Sequence, residues 1–266
     1  MNRGRCIRLR GRIPLKGPLL RPPTAPPDGY TLLLGSSGSL TINPVFSPNA
    51  TIDPLRDFSY TSLISNVPMV LSVHPSVPAR SVQEFIALAK ARPGRLTMGS
   101  AGVGSNTHFT GELFQLETGT KFVHVPYKGT GPALIELMGG QVDLIFDQLS
   151  TSISFIKSGR LRPLGVTTLK RSFLLPAVPT IDESGVRGFE ASSYTGVMLP
   201  SATPKDIVMK IYEALLHTLD QPATRESFAR LGADVIKTTP EEAARRIRDD
   251  VAKWTKVREA TGISLK

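Results

Sequence analysis

Hydrophobic positions change their period repeatedly along this chain, and each change marks an element. Tyr30–Leu34 is a short run of β type, ended by Gly35-Ser36-Ser37-Gly38-Ser39. After a loop through Asp53-Pro54, Phe58–Ile64 predicts a strand. Val67–Val73 predicts a nearly continuous buried strand, interrupted at Pro68 and closed by His74-Pro75. Ser81 and Glu84 have capping-box spacing, and Val82, Phe85, Ile86 and Ala89 form one helical face that ends at Arg92-Pro93-Gly94. Leu96–Gly99 is a strand, and the helix after it places Phe109, Leu113 and Leu116 on one side. Phe122–Val125 is the next strand. A helix opened by Pro132 carries Leu134, Ile135 and Met138 inward and stops at Gly139-Gly140. Val142–Phe146 and Leu161–Thr167 complete the strands. The last quarter is helical. Thr203-Pro204 opens one helix, with Ile207, Val208, Ile211 and Leu215 inward. Thr239-Pro240 opens another, with Glu242 at the capping-box position and Ala244, Ile247, Val251 and Trp254 buried. Strands alternating with helices predict an α/β protein of βα units around a largely parallel sheet, with right-handed crossovers.

Composition narrows this picture. No apolar run reaches the length of a membrane-spanning helix. The single cysteine, Cys6, excludes an intrachain disulfide and a multi-cysteine metal site. A net charge of +10 invites a nucleic-acid reading, but seven of those charges are Arg3, Arg5, Arg8, Arg10, Arg12, Lys16 and Arg21. Residues 28–266 are left with +3 of mixed charge, and Asp249 and Asp250 beside Arg245, Arg246 and Arg248 read as a solvated helix surface. A nucleic-acid function is not expected. Residues 1–27 also hold Pro14, Pro18, Pro22, Pro23, Pro26 and Pro27, and are expected to be a disordered leader. The segment lacks the apolar stretch and cleavage site of a signal peptide.

The recurring local feature is a strand, a Gly/Ser-rich turn and a helix start. It occurs at Leu34–Leu40, Gly99–His108 and Val125–Pro132. Such turns offer backbone N–H groups at positive helix ends, where a carboxylate or phosphate binds, and they lie at the carboxyl ends of strands in open α/β sheets. None is a nucleotide loop, because the Lys-Ser/Thr ending and the dinucleotide glycine spacing are both missing. His74, His108, His124 and His217 lack metal-ligand spacing, and no Gly-x-Ser-x-Gly elbow is present. His108, in the first turn after the second loop, either lines a cleft or packs locally. His124, alternating with Val123 and Val125, reads as a strand residue. Asp143 and Asp147 flank a strand. Asp143 reads as the end of a turn, and Asp147 either meets a ligand N–H or caps nearby backbone. No catalytic set is assembled.

Longer stretches carry a family likeness. They are Pro27-Asp28-Gly29-Tyr30-Thr31-Leu32-Leu33-Leu34-Gly35, Val73-His74-Pro75-Ser76-Val77-Pro78, and Val123-His124-Val125-Pro126-Tyr127-Lys128-Gly129-Thr130-Gly131-Pro132-Ala133. Gly139-Gly140-Gln141-Val142-Asp143, Leu231-Gly232-Ala233 and Thr239-Pro240-Glu241-Glu242 extend it. On these residues the chain from Asp28 onward resembles the substrate-binding component of tripartite tricarboxylate transporters, the Bug family of extracytoplasmic solute receptors.

The resemblance implies a type II periplasmic-binding-protein fold with two α/β lobes around a cleft. Residues 28–68 plus 190–266 would form the first lobe and 69–189 the second. It implies a monomeric, periplasmic, non-catalytic receptor without a cofactor. Such a receptor binds a small carboxylate (a di- or tricarboxylate, an amino acid or a related acid) and delivers it to a membrane permease. The implied ligand residues are Ser36, Ser37, Gly38 and Ser39 from the first lobe. The second would contribute Ser100, Ala101, Gly102, Ser105, Asn106 and His108, then Tyr127, Lys128, Gly129, Thr130 and Gly131, with Asp147 at the adjacent strand end. The front departs from the family, whose members begin with a signal peptide, a strand, a Gly-Gly loop and a long helix. The first lobe is therefore expected to be N-terminally truncated, the protein cytoplasmic if its start is genuine, and binding weak. The alternatives are a ligand-sensing regulatory domain of the same fold, a non-functional truncated homologue and, remotely, an α/β enzyme.

Overall fold

The computed structural model describes residues 25–265. The leader as far as Thr24, with Cys6, lies outside the described residues, as do the expectations attached to it. The organising element is β2 (Phe58–Val73), a single strand where the sequence predicts two. Its first part, Phe58–Pro68, pairs antiparallel with β7 (Ser192–Pro200), while Met69–Val73 pairs with β5 (Leu144–Gln148). Pro68, which has no N–H to give a ladder, falls at the change of partner, so the strand passes through it unbroken.

On the first side of that change, β1 (Leu33–Ser36) pairs with β7, and the two-residue β8 (Asp234–Val235) pairs with Ser65 and Asn66. On the second side, β6 (Arg162–Val166) pairs with β2, and β5 continues into β3 (Thr97–Ser100) and β4 (Val123–Pro126). Among the described strands β5, β3 and β4 run parallel; β2 is antiparallel to β5, β6, β7 and β8, and β1 to β7. The expected largely parallel sheet is thus corrected to a mixed one. The cause is the pair of long strands, β2 and β7, that run in opposite senses between the two halves. β1 also starts later than predicted. Tyr30 lies outside it and is 92% exposed.

A π-helix, Gly38–Ile42, runs into α1 (Asn43–Phe46). The other helices are α2 (Val82–Ala91), α3 (Asn106–Thr118), α4 (Thr130–Met138), α5 (Leu149–Lys157), α6 (Lys205–Asp220), α7 (Pro222–Arg230) and α8 (Pro240–Thr261). Both predicted N-caps form: Ser81 Oγ accepts from Glu84 N at 3.1 Å, and Thr239 and Glu242 make both bonds of a capping box. Each cap contributes roughly 1 kcal/mol. α5 and α7 went unpredicted. α5 follows β5 with no turn residue between them and carries Ser150, Thr151 and Ser152, which favour turns over helix. α7 buries no residue and so has no apolar period to read.

The main core runs between both halves. Phe85, Phe114, Phe122, Phe146 and Phe189 form one ring cluster, and Phe46, Phe109 and Trp254 another. Burying each such side chain contributes about 1.5–3 kcal/mol. The first cluster corrects the reading of α3, because it draws Phe114 inward and leaves Leu116 exposed. In α4, Ala133, Leu134 and Leu137 are buried and Ile135 faces solvent. Nine residues are too few for the helical period to choose between those faces.

α8 holds a further correction. Ile247 and Trp254 are buried as expected, Ala244 and Val251 half-buried, and Ala243, Val257 and Asp250 join the buried face. Asp250, read as part of a solvated surface, is 4% exposed and bonds Lys253 Nζ at 2.6 Å and Arg246 Nε at 3.4 Å. Arg246 also meets Glu190 Oε2 at 2.5 Å, and Lys253 donates to Glu190 O at 2.8 Å. Arg246 and Asp250 thus leave the run to clamp α8 to the segment entering β7, while Arg245, Arg248 and Asp249 are exposed as expected. Charges of alternating sign look alike in sequence whether solvated or paired.

Candidate ligand-binding site

Each Gly/Ser turn leads into a helix as predicted, and the fold brings the first two face to face. Ser36–Ser39 joins β1 to the π-helix, and Ser100–Ser105 joins β3 to α3. A Cβ built on Gly38 would lie 3.7 Å from Asn106 Oδ1, so the two helix starts are in van der Waals reach.

The first turn is held by a reciprocal serine pair. Ser36 N donates to Ser39 Oγ at 3.0 Å, and Ser39 Oγ donates to Ser36 O at 3.0 Å. Those bonds leave the amides of Ser37 and Gly38 without an acceptor among the described residues. Ser37 is 3% exposed and its buried Oγ also lacks a partner. Hydrogen-bonding capacity is concentrated here and unspent.

The second turn satisfies most of its own groups. Ala101 N donates to Thr107 Oγ1 at 2.8 Å, Gly102 N to Ser100 Oγ at 3.1 Å, and Gly104 N to His108 Nδ1 at 3.2 Å. Ser105 caps α3, accepting from His108 N and donating from Oγ to Gly102 O at 2.6 Å. What stays open is the first turn of α3, where Asn106 N and Thr107 N have no intrahelical acceptor. α3 is thirteen residues long, so its positive end is fully developed.

The third turn, Tyr127–Gly131, is hydrogen-bonded to the second: Tyr127 N donates to Ser100 O at 3.0 Å and Gly129 N to Ala101 O at 3.1 Å. This contact explains Gly102. Its φ is +124°, and a Cβ there would come within 3.1 Å of Tyr127 O. Gly129 caps α4, Gly131 faces open space, Tyr127 and Thr130 are half-buried, and the Lys128 side chain is exposed.

The other predicted residues sit deeper. Asp147, at the carboxyl end of β5, is fully buried; its Oδ2 accepts from the hydroxyls of Ser152, at 2.6 Å, and Thr151. Burial raises its pKa above the usual carboxylate range, opposed by the Ser152, Thr151 and Thr130 hydroxyls. It thereby holds the start of α5, while its Oδ1 has no partner among the described residues. Asp143 accepts from Thr97 N at 2.7 Å and Oγ1 at 2.9 Å, which locks the entry of β5 to β3 and separates it from Asp147 in role. His108 is 3% exposed, with Nδ1 on Gly104 and Nε2 at 3.6 Å from Glu112.

Three contributors were not singled out from the sequence. Thr107 supplies both an open amide and the hydroxyl that holds Ala101, a role signalled by the Ser/Thr spacing at the start of α3. His124 bonds Ser100 Oγ at 2.6 Å. Leu265, distant in sequence, gave no signal. Its N–H donates to Phe46 O at 2.9 Å, and its side chain lies against Gly104, so it ties the second turn to α1.

Opposed helix starts with free N–H groups can hold an anion without a buried cationic side chain. The Ser100–His124 contact has the makings of a nucleophile and a base. Ser100, however, is fully buried, its Oγ is engaged by Gly102, and no carboxylate among the described residues is hydrogen-bonded to His124. Two α/β halves joined by crossing strands, with helix starts that face each other, define a solute-binding protein of the periplasmic-binding-protein type. The family described as tripartite tricarboxylate transporter family receptor matches residues 22–263, and this chain belongs to that family. Among curated relatives, protein BugT of Bordetella pertussis is 37% identical over 240 residues, 90% of this chain and 74% of BugT. Among solved structures, R. palustris Rpa4515 with adipate is 35% identical with a TM-score of 0.73, covering 91% of this chain and 81% of that one. MatC from Rhodopseudomonas palustris with bound malate is 29% identical with a TM-score of 0.69, covering 89% and 81%.

Proposed function

We propose that the chain is an extracytoplasmic receptor that binds a small dicarboxylate and delivers it to a membrane permease without transforming it. The observation that carries this reading is the pair of opposed helix starts, with the amides of Ser37 and Gly38 on one side and of Asn106 and Thr107 on the other. Two clusters of N–H donors suit the two ends of a dianion. Adipate and malate in the two R. palustris relatives support a ligand of that size and charge. Residues 28–68 with 190–266 form one lobe and 69–189 the other, and β2 and β7 are the hinge strands. Ligand binding draws the lobes together and expels water from between the helix starts. The receptor acts as a monomer.

Thermal unfolding with a panel of C4–C6 di- and tricarboxylates tests this. At ligand a hundredfold above Kd the stabilisation is about 2.7 kcal/mol, which is a rise in Tm of roughly 5–10 °C for a chain of this size. A cooperative melt unmoved by every acid in the panel would overturn the proposal.

A further inference from the structure

The turn that carries the second set of open amides is shaped by two imidazoles. His108 and His124 stack with ring centroids 4.0 Å apart and an interplanar angle of 10°. His108 Nδ1 accepts the Gly104 N–H, so its proton sits on Nε2, toward Glu112. His124 Nε2 lies 2.6 Å from Ser100 Oγ, which accepts the Gly102 N–H at 3.1 Å and has Gly102 O at a longer 3.3 Å. The shorter contact is the stronger one, and it fixes the hydroxyl. Each ring therefore anchors one glycine of the turn, and the stack fixes the rings relative to each other.

We infer that His124 is a positioning residue for ligand binding: through Ser100 Oγ and its stack on His108, it turns the Gly102 and Gly104 amides inward and so fixes the open α3 amides toward the crevice. The inference rests on the receptor reading above and deepens it. In this role His124 acts through Ser100 rather than on the ligand itself. It sits on β4 behind the turn, with Ser100 between it and the loop backbone. Ser100, fully buried at the end of β3, meets the loop backbone at Gly102, and His108 meets it at Gly104.

The test uses His124→Phe, which keeps a ring to stack on His108 but has no nitrogen for Ser100, and His124→Gln, whose amide reaches as far as Nε2. Ser100→Ala cuts the same chain at its other end. Carboxylate affinity is read by calorimetry, and the Gly102 amide by its position in a nitrogen–proton correlation spectrum. Expected are a loss of about tenfold in affinity and a displaced Gly102 resonance in both His124→Phe and Ser100→Ala, the worth of one buried hydrogen bond. His124→Gln should restore both. A folded His124→Phe variant with wild-type affinity and an unmoved Gly102 resonance would overturn the inference, as would failure of glutamine to improve on phenylalanine. If His124→Phe does not fold, Ser100→Ala decides by the same two readouts. Should the wild-type protein bind no carboxylate, the receptor reading fails, while the Gly102 resonance of the free variants still decides the positioning role.

Discussion

Gly38 and Asn106 sit at the starts of two helices that face each other, and a Cβ on Gly38 would stand 3.7 Å from Asn106 Oδ1. That is ordinary van der Waals contact, so a methyl group fits there and a larger side chain reaches into the space between the two helix starts. A branched side chain at 38 therefore enters the proposed ligand space before it disturbs the fold.

Gly38→Val follows from this geometry. The branched side chain should lower dicarboxylate affinity by more than about tenfold while Tm changes by only a few degrees, since the nearest atoms are at ordinary contact distance. Calorimetry and thermal unfolding on the same preparation check both halves of the expectation.

Gly111 tests the packing of α3 on the sheet. A Cβ there would overlap Met98 Sδ and Cε, and Met98 is fully buried. Alanine gains about 1 kcal/mol of helix propensity, whereas overpacking a core costs roughly 1–3 kcal/mol. Gly111→Ala should therefore destabilise on balance by up to about 2 kcal/mol, and denaturant titration measures it.

Acid stability should report His124. Burial first, then the neighbouring His108, hold its pKa down to about 4, with Glu112 opposing. The unfolded imidazole takes its proton near 6.5, so between those values the unfolded state binds more protons than the folded one. Stability then falls as pH drops from about 6.5 to about 4. Comparing wild type with His124→Gln cancels the contribution of the carboxylates. The wild-type protein should lose more stability over that window, and parallel pH curves would refute the assignment.

Local signals made much of this fold legible. The Ser81 and Thr239 caps, the three Gly/Ser turns and the alternation of strand and helix all depend on neighbours in sequence. What escaped depended on distant partners. Pro68 looked like a strand break until β2 was seen to exchange β7 for β5 there. Asp250 looked solvated until Glu190, Arg246 and Lys253 gathered around it. The turns of the site could be read, but not which amides within them stay free. That is decided by side chains such as Thr107, His108 and Ser100, whose bonds consume some donors and leave others.

The central claim, that open backbone amides at the start of α3 hold the ligand's carboxylate, is tested most directly by comparing Asn106→Pro with Asn106→Ala. Both remove the side chain, and only proline removes the N–H. Position 106 is the first residue of α3, where proline is well tolerated, and Ser105 before it is already extended at φ −75° and ψ 159°. A charge-assisted hydrogen bond is worth about 1.5–3 kcal/mol. Calorimetric titration with a C4–C6 dicarboxylate should thus find Asn106→Pro weaker than Asn106→Ala by roughly 10- to 100-fold, with both variants folded. Equal affinities in the two variants would contradict the account.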